Sequence, residues 1–285
     1  MAWRELHVFT VGASPVFNAV SRLEESDSPL VERYPLLRRL RGLSPNSEEQ
    51  EVVGSWAAAG GEVFEGLYSV LELDPRGVSA ELNAYFGFRR EVLWGESARI
   101  LLFHTDTGVG RLAAMLVYEF LARRGEVMGV PHRVEAPRVI RGFGRPGGWD
   151  EALADTVAKV GAAVLEGRQL GYRVFLNATG GFKPEVSFAL AVALLGGVDE
   201  AYYIHEASRR VVFLPRLPVG LDREFAEALA AVDGLYVGEL RDSIAGSVLR
   251  ARGYMPEDLE RMGLAEVRDG RIVLRGWVRE LLKLI

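Results

Sequence analysis

The segment 177–185, Asn-Ala-Thr-Gly-Gly-Phe-Lys-Pro-Glu, has the residues best suited to chemistry in this sequence. It follows an apolar stretch that predicts a strand and precedes one that predicts a helix. Gly180 and Gly181 allow a sharp turn and a close approach of the backbone to a ligand. The helix N-terminus after Pro184 offers unpaired amides and the positive end of a dipole, which favour an anion. The segment therefore predicts a phosphate-binding turn.

Lys183 strengthens this prediction. The chain has 34 basic residues, and only Lys159, Lys183 and Lys283 among them are lysines. A cation beside a helix N-terminus is unfavourable by about 0.3–1 kcal/mol, and Pro184 favours an extended backbone at Lys183. A lysine at this position suggests a phosphate partner, although a purely structural turn with an exposed lysine has the same pattern.

Two further segments place hydroxyls and glycines directly after predicted strands. Residues 105–110 read Thr-Asp-Thr-Gly-Val-Gly, and residues 10–15 read Thr-Val-Gly-Ala-Ser-Pro. The candidate ligand contacts in these segments are Gly12, Ala13, Ser14, Thr105, Asp106, Thr107, Gly108 and Gly110. Both segments also fit capped helix N-termini, with Asp106 or Thr107 as one cap and Ser14 before Pro15 as the other.

Strands and helices alternate through most of the chain. The predicted strands are 6–11, 99–104, 134–140 and 172–176, with 201–205 and 210–214 as a possible antiparallel edge. About four short helices over 29–88 form an insertion, and the glycine-rich stretch 142–148 is a loop. The alternation predicts an α/β fold with a mostly parallel sheet. In such sheets ligands bind at the carboxyl ends of strands, where the three turns lie.

The pattern changes after Pro218. Helices are predicted over 221–232, 240–252, 256–262 and 276–285. A hairpin over 264–274 has an Asp269-Gly270 turn. Because this order is that of a winged helix-turn-helix, we divide the chain into a Rossmann-like domain, 1–218, and a winged helix-turn-helix-like domain, 219–285.

Composition limits the function classes. The 285 residues are 49% hydrophobic with a formal net charge of −5 and no cysteine, which excludes disulfides and thiolate metal sites. The apolar N-terminal stretch is too short for a signal peptide or membrane span, so we expect a cytoplasmic protein without a membrane partner. The sequence lacks a complete dinucleotide fingerprint and a Walker A pattern. We expect no metal and no cofactor.

The three turns together resemble those of CRISPR-associated Rossmann fold (CARF) proteins. The resemblance covers about residues 5–215 and rests on the segments 10–14, 105–107 and 177–183. Residues 79–83, Ser-Ala-Glu-Leu-Asn, are similar to a CARF branch that includes standalone ring nucleases with a winged-helix tail. CARF proteins bind cyclic oligoadenylates across a two-fold dimer, and some cleave this messenger without metal.

The resemblance implies a homodimer that binds a cyclic oligoadenylate, with cyclic tetra-adenylate as the expected ring. In ring nucleases of this type a ribose 2′-hydroxyl attacks the adjacent phosphate and yields diadenylates with 2′,3′-cyclic phosphate ends, which switches off type III CRISPR signalling. Lys183 is the candidate catalytic cation, and Ser14 is the candidate that orients the phosphate or the 2′-hydroxyl. The binding contacts of the third turn are Asn177, Thr179, Gly180, Gly181 and Phe182.

Other functions fit parts of the sequence. A ligand-responsive transcription regulator needs a DNA-binding tail, but residues 221–285 contain ten arginines and lysines against twelve aspartates and glutamates. The resulting net charge of −2 is unfavourable for phosphate neutralisation, so duplex DNA is not an expected partner. An unrelated Rossmann enzyme with a nucleotide cofactor is a third candidate. The loop 142–148, with Arg141 and Arg145, is a candidate lid.

Overall fold

The computed structural model describes residues 4–91, 95–125, 129–181, 183–205, 208, 210–215 and 219–284. The predicted ligand contact Phe182 lies outside these residues.

A mostly parallel sheet organises the chain up to residue 214. Its strands are β1 (Arg4–Thr10), β2 (Ser97–Thr105), β3 (His132–Val134), β4 (Arg138–Ile140), β5 (Tyr172–Asn177), β6 (Glu200–Ile204) and β7 (Val211–Leu214). Their order is β3-β2-β1-β5-β6-β7, and β4 also pairs with β2. Only the β6–β7 pair is antiparallel among these strands. The predicted α/β fold is confirmed, and the sheet is consistent with a Rossmann-like domain.

Helices cover both faces of the sheet. They are α1 (Ser14–Glu25), α2 (Pro29–Arg33), α3 (Glu49–Ser55), α4 (Glu62–Leu73), α5 (Pro75–Val78), α6 (Ala80–Glu91), α7 (Gly108–Arg123), α8 (Trp149–Thr156), α9 (Ala162–Gln169) and α10 (Lys183–Leu195). A 3-10 helix spans Pro35–Gly42, and a π-helical turn, Val157–Gly161, joins α8 to α9. Alternate residues of β1 enter opposite cores: Phe9 packs with α1 to α7, whereas Leu6 and Val8 pack with the α8–α10 side.

Several predicted boundaries were wrong for local reasons. The predicted strand 134–140 is two short strands, because Pro137 has no amide hydrogen for the ladder. Helix α1 begins at Ser14 with Ala13 at the cap position, since the Ser14 hydroxyl bonds to α6 instead of capping α1. Helix α10 begins at Lys183, one residue before Pro184.

The tail contains α11 (Arg223–Ala231), α12 (Val237–Leu240), α13 (Ile244–Ala251), α14 (Pro256–Arg261), β8 (Ala265–Arg268), β9 (Arg271–Leu274) and α15 (Gly276–Leu282). The predicted helix 240–252 is interrupted because the Ser243 hydroxyl caps α13. The β8–β9 hairpin turns at Asp269 and Gly270, whose φ values are 50° and 74°. Such positive angles at both turn residues fit the expected Asp-Gly turn. The domain boundary and the winged-helix interpretation stay predictions.

Candidate functional site

The strand order reverses between β1 and β5, and the turns that follow these two strands meet there. Ligands bind in the crevice at such a switch point in open α/β sheets. At Gly12 the backbones nearly touch, because a Cβ atom built there lies 2.4 Å from the amide nitrogen of Gly181. Gly181 has φ of 119°, a conformation that side chains disfavour. Gly12 is thus required by the close approach of the turns, and Gly181 by its own backbone angle.

A buried carboxylate joins the two turns. The side chain of Glu81, near the start of α6, accepts hydrogen bonds from the Gly12 amide at 2.8 Å and from the Ser14 hydroxyl at 3.0 Å. Ser79 donates a third hydrogen bond to it at 2.8 Å. On the β5 side, a Cβ atom at Gly180 falls 1.7 Å from Glu81 Oε1. Glu81 therefore lies between the turns and is in contact with both.

Burial dominates the electrostatics of Glu81. The residue is 0% exposed, and burial raises the pKa of its carboxyl, although the hydrogen bonds from Gly12, Ser79 and Ser14 lower it in part. Removing a carboxylate from water disfavours its charged form.

The polar side chains of the third turn are used inside the protein. Asn177 is buried, and its amide nitrogen donates to the carbonyl oxygen of Glu81 at 2.9 Å. Its side-chain oxygen accepts from the amide of Thr179 at 3.3 Å, and the Thr179 hydroxyl accepts from the amide of Ile204 at 3.2 Å. Thr10 donates to the carbonyl of Gly180 at 2.5 Å. These contacts fix the shape of the turn.

The turn after β2 combines a helix cap with a loop anchor. Thr107 caps α7, since its hydroxyl accepts from the Gly110 amide at 3.0 Å. Asp106 does not cap this helix: its carboxylate accepts from the amides of Gly142 at 2.8 Å and Gly144 at 2.7 Å. Gly108 allows close packing, because a Cβ atom there lies 1.8 Å from the carbonyl oxygen of Gln50.

One cavity of about 280 Å³ lies where the three turns converge. Of the predicted contacts, those that line it are Gly12, Ala13, Thr105, Thr107, Gly110 and Gly181. Phe17, Arg41 and Phe143 also line it, the last from the loop 142–148. The walls are mainly apolar with a few polar groups, which is the usual character of a small-molecule site.

The two predicted catalytic residues lie outside this lining. Lys183 is exposed at the start of α10, and Ser14 is half-buried at the start of α1. Gly181, which lines the cavity, lies two residues before Lys183, and Ala13, which also lines it, directly precedes Ser14. Asp106, Gly108, Asn177, Thr179 and Gly180 also lie outside the lining.

Two residues of the candidate site, Glu81 and Arg41, were not predicted from the sequence. Glu81 was part of the family resemblance but was given no role, because its contact with Gly12 spans 69 residues of sequence. Arg41, on the 3-10 helix, lies with its guanidinium 5.0 Å from the Phe17 ring centroid and lines the cavity. No local pattern distinguishes it from the other surface arginines.

Neither a metal centre nor a membrane helix is found in the part of the chain that the structure describes. No group of three or more histidine, aspartate or glutamate side chains there is arranged to hold a metal ion. Among the described helices, none is both long and apolar enough to cross a bilayer.

Residues 76–217 match the family described as CRISPR-associated protein (Cas_APE2256). The match supports a CRISPR-associated protein. The matched region includes Glu81 and the turns after β2 and β5. The turn after β1 and the tail lie outside it.

Proposed function

We propose that this protein is a CARF-type ring nuclease that binds a cyclic oligoadenylate, with cyclic tetra-adenylate as the preferred ring, across a homodimer in the cytoplasm. The observation that carries the proposal is the convergence of three strand-end turns on one cavity at the switch point. The CRISPR-associated family match covers two of these turns and adds support.

In this proposal the glycine-rich turn binds the phosphates and Lys183 stabilises the transition state. A two-fold dimer doubles every turn, so a symmetric ring is held by two copies of the same contacts. The glycine-rich turn and the N-terminus of α10 hold phosphate oxygens through backbone amides. The exposed ammonium of Lys183 offsets the charge that develops on phosphorus as the 2′-oxygen attacks, and it needs no metal for this role.

Positioning supplies the remaining rate enhancement. The attacking 2′-oxygen, the phosphorus and the leaving 5′-oxygen must lie in line, and rigid turns that fix the ring in this geometry lower the barrier. The rigidity comes from the contacts of Glu81, Asn177 and Thr107 described above.

The experiment is incubation of the protein with labelled cyclic tetra-adenylate and cyclic hexa-adenylate in EDTA, followed by chromatography. We expect the tetramer ring to disappear and diadenylates with 2′,3′-cyclic phosphate ends to form. Tight binding without cleavage of the ring refutes the nuclease activity and favours a sensor that binds the ring without cleaving it. Failure to bind either ring refutes the whole proposal.

A further inference from the structure

We propose that Glu81 fixes the direction of the Ser14 hydroxyl and, through it, takes up the proton of the attacking 2′-hydroxyl. This inference rests on the proposed ring-nuclease function. Glu81 is then a positioning residue that acts through Ser14, which is the group that contacts the ribose.

The hydrogen bonds of Ser14 leave it a single role toward a ligand. A serine hydroxyl has one hydrogen to donate and two lone pairs to accept with. The hydrogen goes to Glu81 Oε2 at 3.0 Å, and one lone pair accepts from the Ala80 amide at 3.1 Å. The remaining lone pair accepts only, so Ser14 bonds to a donor such as a ribose hydroxyl and not to a phosphate oxygen.

Ser79 holds the acceptor in place. Its hydroxyl donates to the same oxygen, Glu81 Oε2, and accepts from the Leu82 amide. The other oxygen of Glu81 is bound by the Gly12 amide. The carboxylate therefore cannot turn away from Ser14 without breaking several hydrogen bonds in a buried site.

The proposed step balances as follows. The 2′-hydroxyl proton passes to Ser14 Oγ while the Ser14 proton passes to Glu81 Oε2. The 2′-oxygen forms a bond to phosphorus, and the bond from phosphorus to the 5′-oxygen breaks. The 5′-oxygen leaves with the electron pair and takes a proton from water. Glu81 returns its proton to solvent when the product leaves.

Its surroundings make Glu81 a suitable acceptor. Burial raises its pKa, which brings a carboxylate closer to the basicity that proton transfer at neutral pH favours. Charged groups on the elements around the two turns include Glu185 on α10, whose carboxylate lies beside Gly181, Lys183 at the start of the same helix, and Arg76 on α5. Arg76 is hydrogen-bonded to Asn83, and the pKa of Glu81 is raised mainly by burial, against hydrogen bonds that lower it.

The test compares single-turnover cleavage of cyclic tetra-adenylate by saturating enzyme across pH. For the wild type we expect the rate to fall in acid as Glu81 takes up a proton. Glu81→Gln cannot accept that proton, so we expect a rate about a hundredfold lower at neutral pH, the scale typical of a lost base. The rate of this variant no longer falls in acid. Its affinity for the ring stays within about threefold of the wild-type value because the phosphate contacts remain. Glu91→Gln, the same change at the exposed end of α6, keeps the wild-type rate and profile.

Ser14→Ala provides an independent arm if Glu81→Gln does not fold. It removes the relay, so its rate must also lose the fall in acid. Where Glu81→Gln does fold, adding it to Ser14→Ala must cause no further slowing. A wild-type fall of the rate in acid in either single variant contradicts the relay while leaving the ring nuclease intact. An inert wild type contradicts the proposed function itself.

Discussion

At the residue scale, Gly12, Gly180 and Gly181 carry no functional group, yet they set the distance between the turns after β1 and β5. The sequence predicted a close backbone approach at the third turn because two adjacent glycines there permit it. It did not predict that the approaching groups are Gly12 and Glu81. These contacts join segments far apart in the chain, so the local sequence patterns that predict turns and helices could not predict them.

Gly12→Ala should destabilise the protein, because its Cβ meets the backbone of Gly181 and no side chain can move aside. Overpacking of this kind costs about 1–3 kcal/mol. The measurement is the free energy of unfolding in urea. Gly220→Ala, where nothing lies within 4 Å of the added atom, is the control and should change little. Equal stability of the two variants would refute the predicted close approach.

Lys183 is exposed at the start of α10, so its ammonium is free to contact an anionic ligand bound at this helix N-terminus. Lys183→Ala should slow single-turnover cleavage on the order of a hundredfold, more than it weakens binding. Lys183→Arg should also be impaired, since a planar guanidinium cannot occupy the same point. Lys283→Ala, whose ammonium pairs with Glu280 on α15, is the matched control and should retain activity. A wild-type rate for Lys183→Ala would remove this residue from catalysis.

At the scale of elements, α6 connects the site to the interior of the sheet. Its first turn carries Glu81, and its last turn carries Arg89, which pairs with Glu5 on β1 at 2.6 Å. His7 on β1 is fully buried beside Glu5 and stacks on Phe175 at 5.0 Å between ring centroids. The strands were predictable from apolar runs, but this buried network was not, because its members lie on three separate segments.

This network should make the fold sensitive to acid. Burial lowers the pKa of His7 to about 4, although the hydrogen bond that the His7 ring makes to the Glu5 carboxylate raises it in part. Between pH 6.5 and about 4 the unfolded chain binds a proton at this histidine that the folded chain does not bind. The free energy of unfolding therefore decreases as the pH is lowered, by at most about 1.4 kcal/mol per pH unit. Burial would raise the pKa of Glu5, but its bond to His7 and the charges of His7 and Arg89 lower it to about 2, which extends the loss below pH 4.5.

Unfolding free energies measured from pH 7 to pH 4.5 test this expectation. His7→Gln removes the titrating group, so its curve should be flatter over that range even if the variant is less stable at pH 7. His205→Gln, beyond the end of β6, should keep the wild-type slope. An unchanged slope in His7→Gln would show that another group carries the acid sensitivity.

At the scale of the whole molecule, the tail packs against the helices that flank the candidate site. The Trp277 ring on α15 lies 5.7 Å from that of Phe188 on α10, and the amide of Gly276 donates to Asp150 on α8 at 3.3 Å. Helix α8 follows the loop 142–148, which Asp106 anchors to β2. The sequence indicated the order of tail elements, but not their docking surface.

The tail should not bind DNA tightly. A DNA-binding tail would need Arg250, Arg252 and Arg261 as a basic face. Instead Arg252 pairs with Asp222 and Glu224, Arg261 pairs with Asp258, and α14 carries three acidic residues. We expect no specific duplex binding below micromolar concentration at physiological salt, measured by fluorescence anisotropy over a salt series. A tight, salt-sensitive complex with a promoter fragment would instead favour the transcription regulator.

The most direct measurement is a crystal structure of Lys183→Ala with intact cyclic tetra-adenylate. We expect one ring on a two-fold axis between two copies of the chain, since a symmetric ligand fits a site built from duplicated turns. The phosphates should contact the segment 180–183 of both copies, and a 2′-hydroxyl should donate to Ser14. A ring bound away from these turns, or turns far from any two-fold axis, would contradict the account.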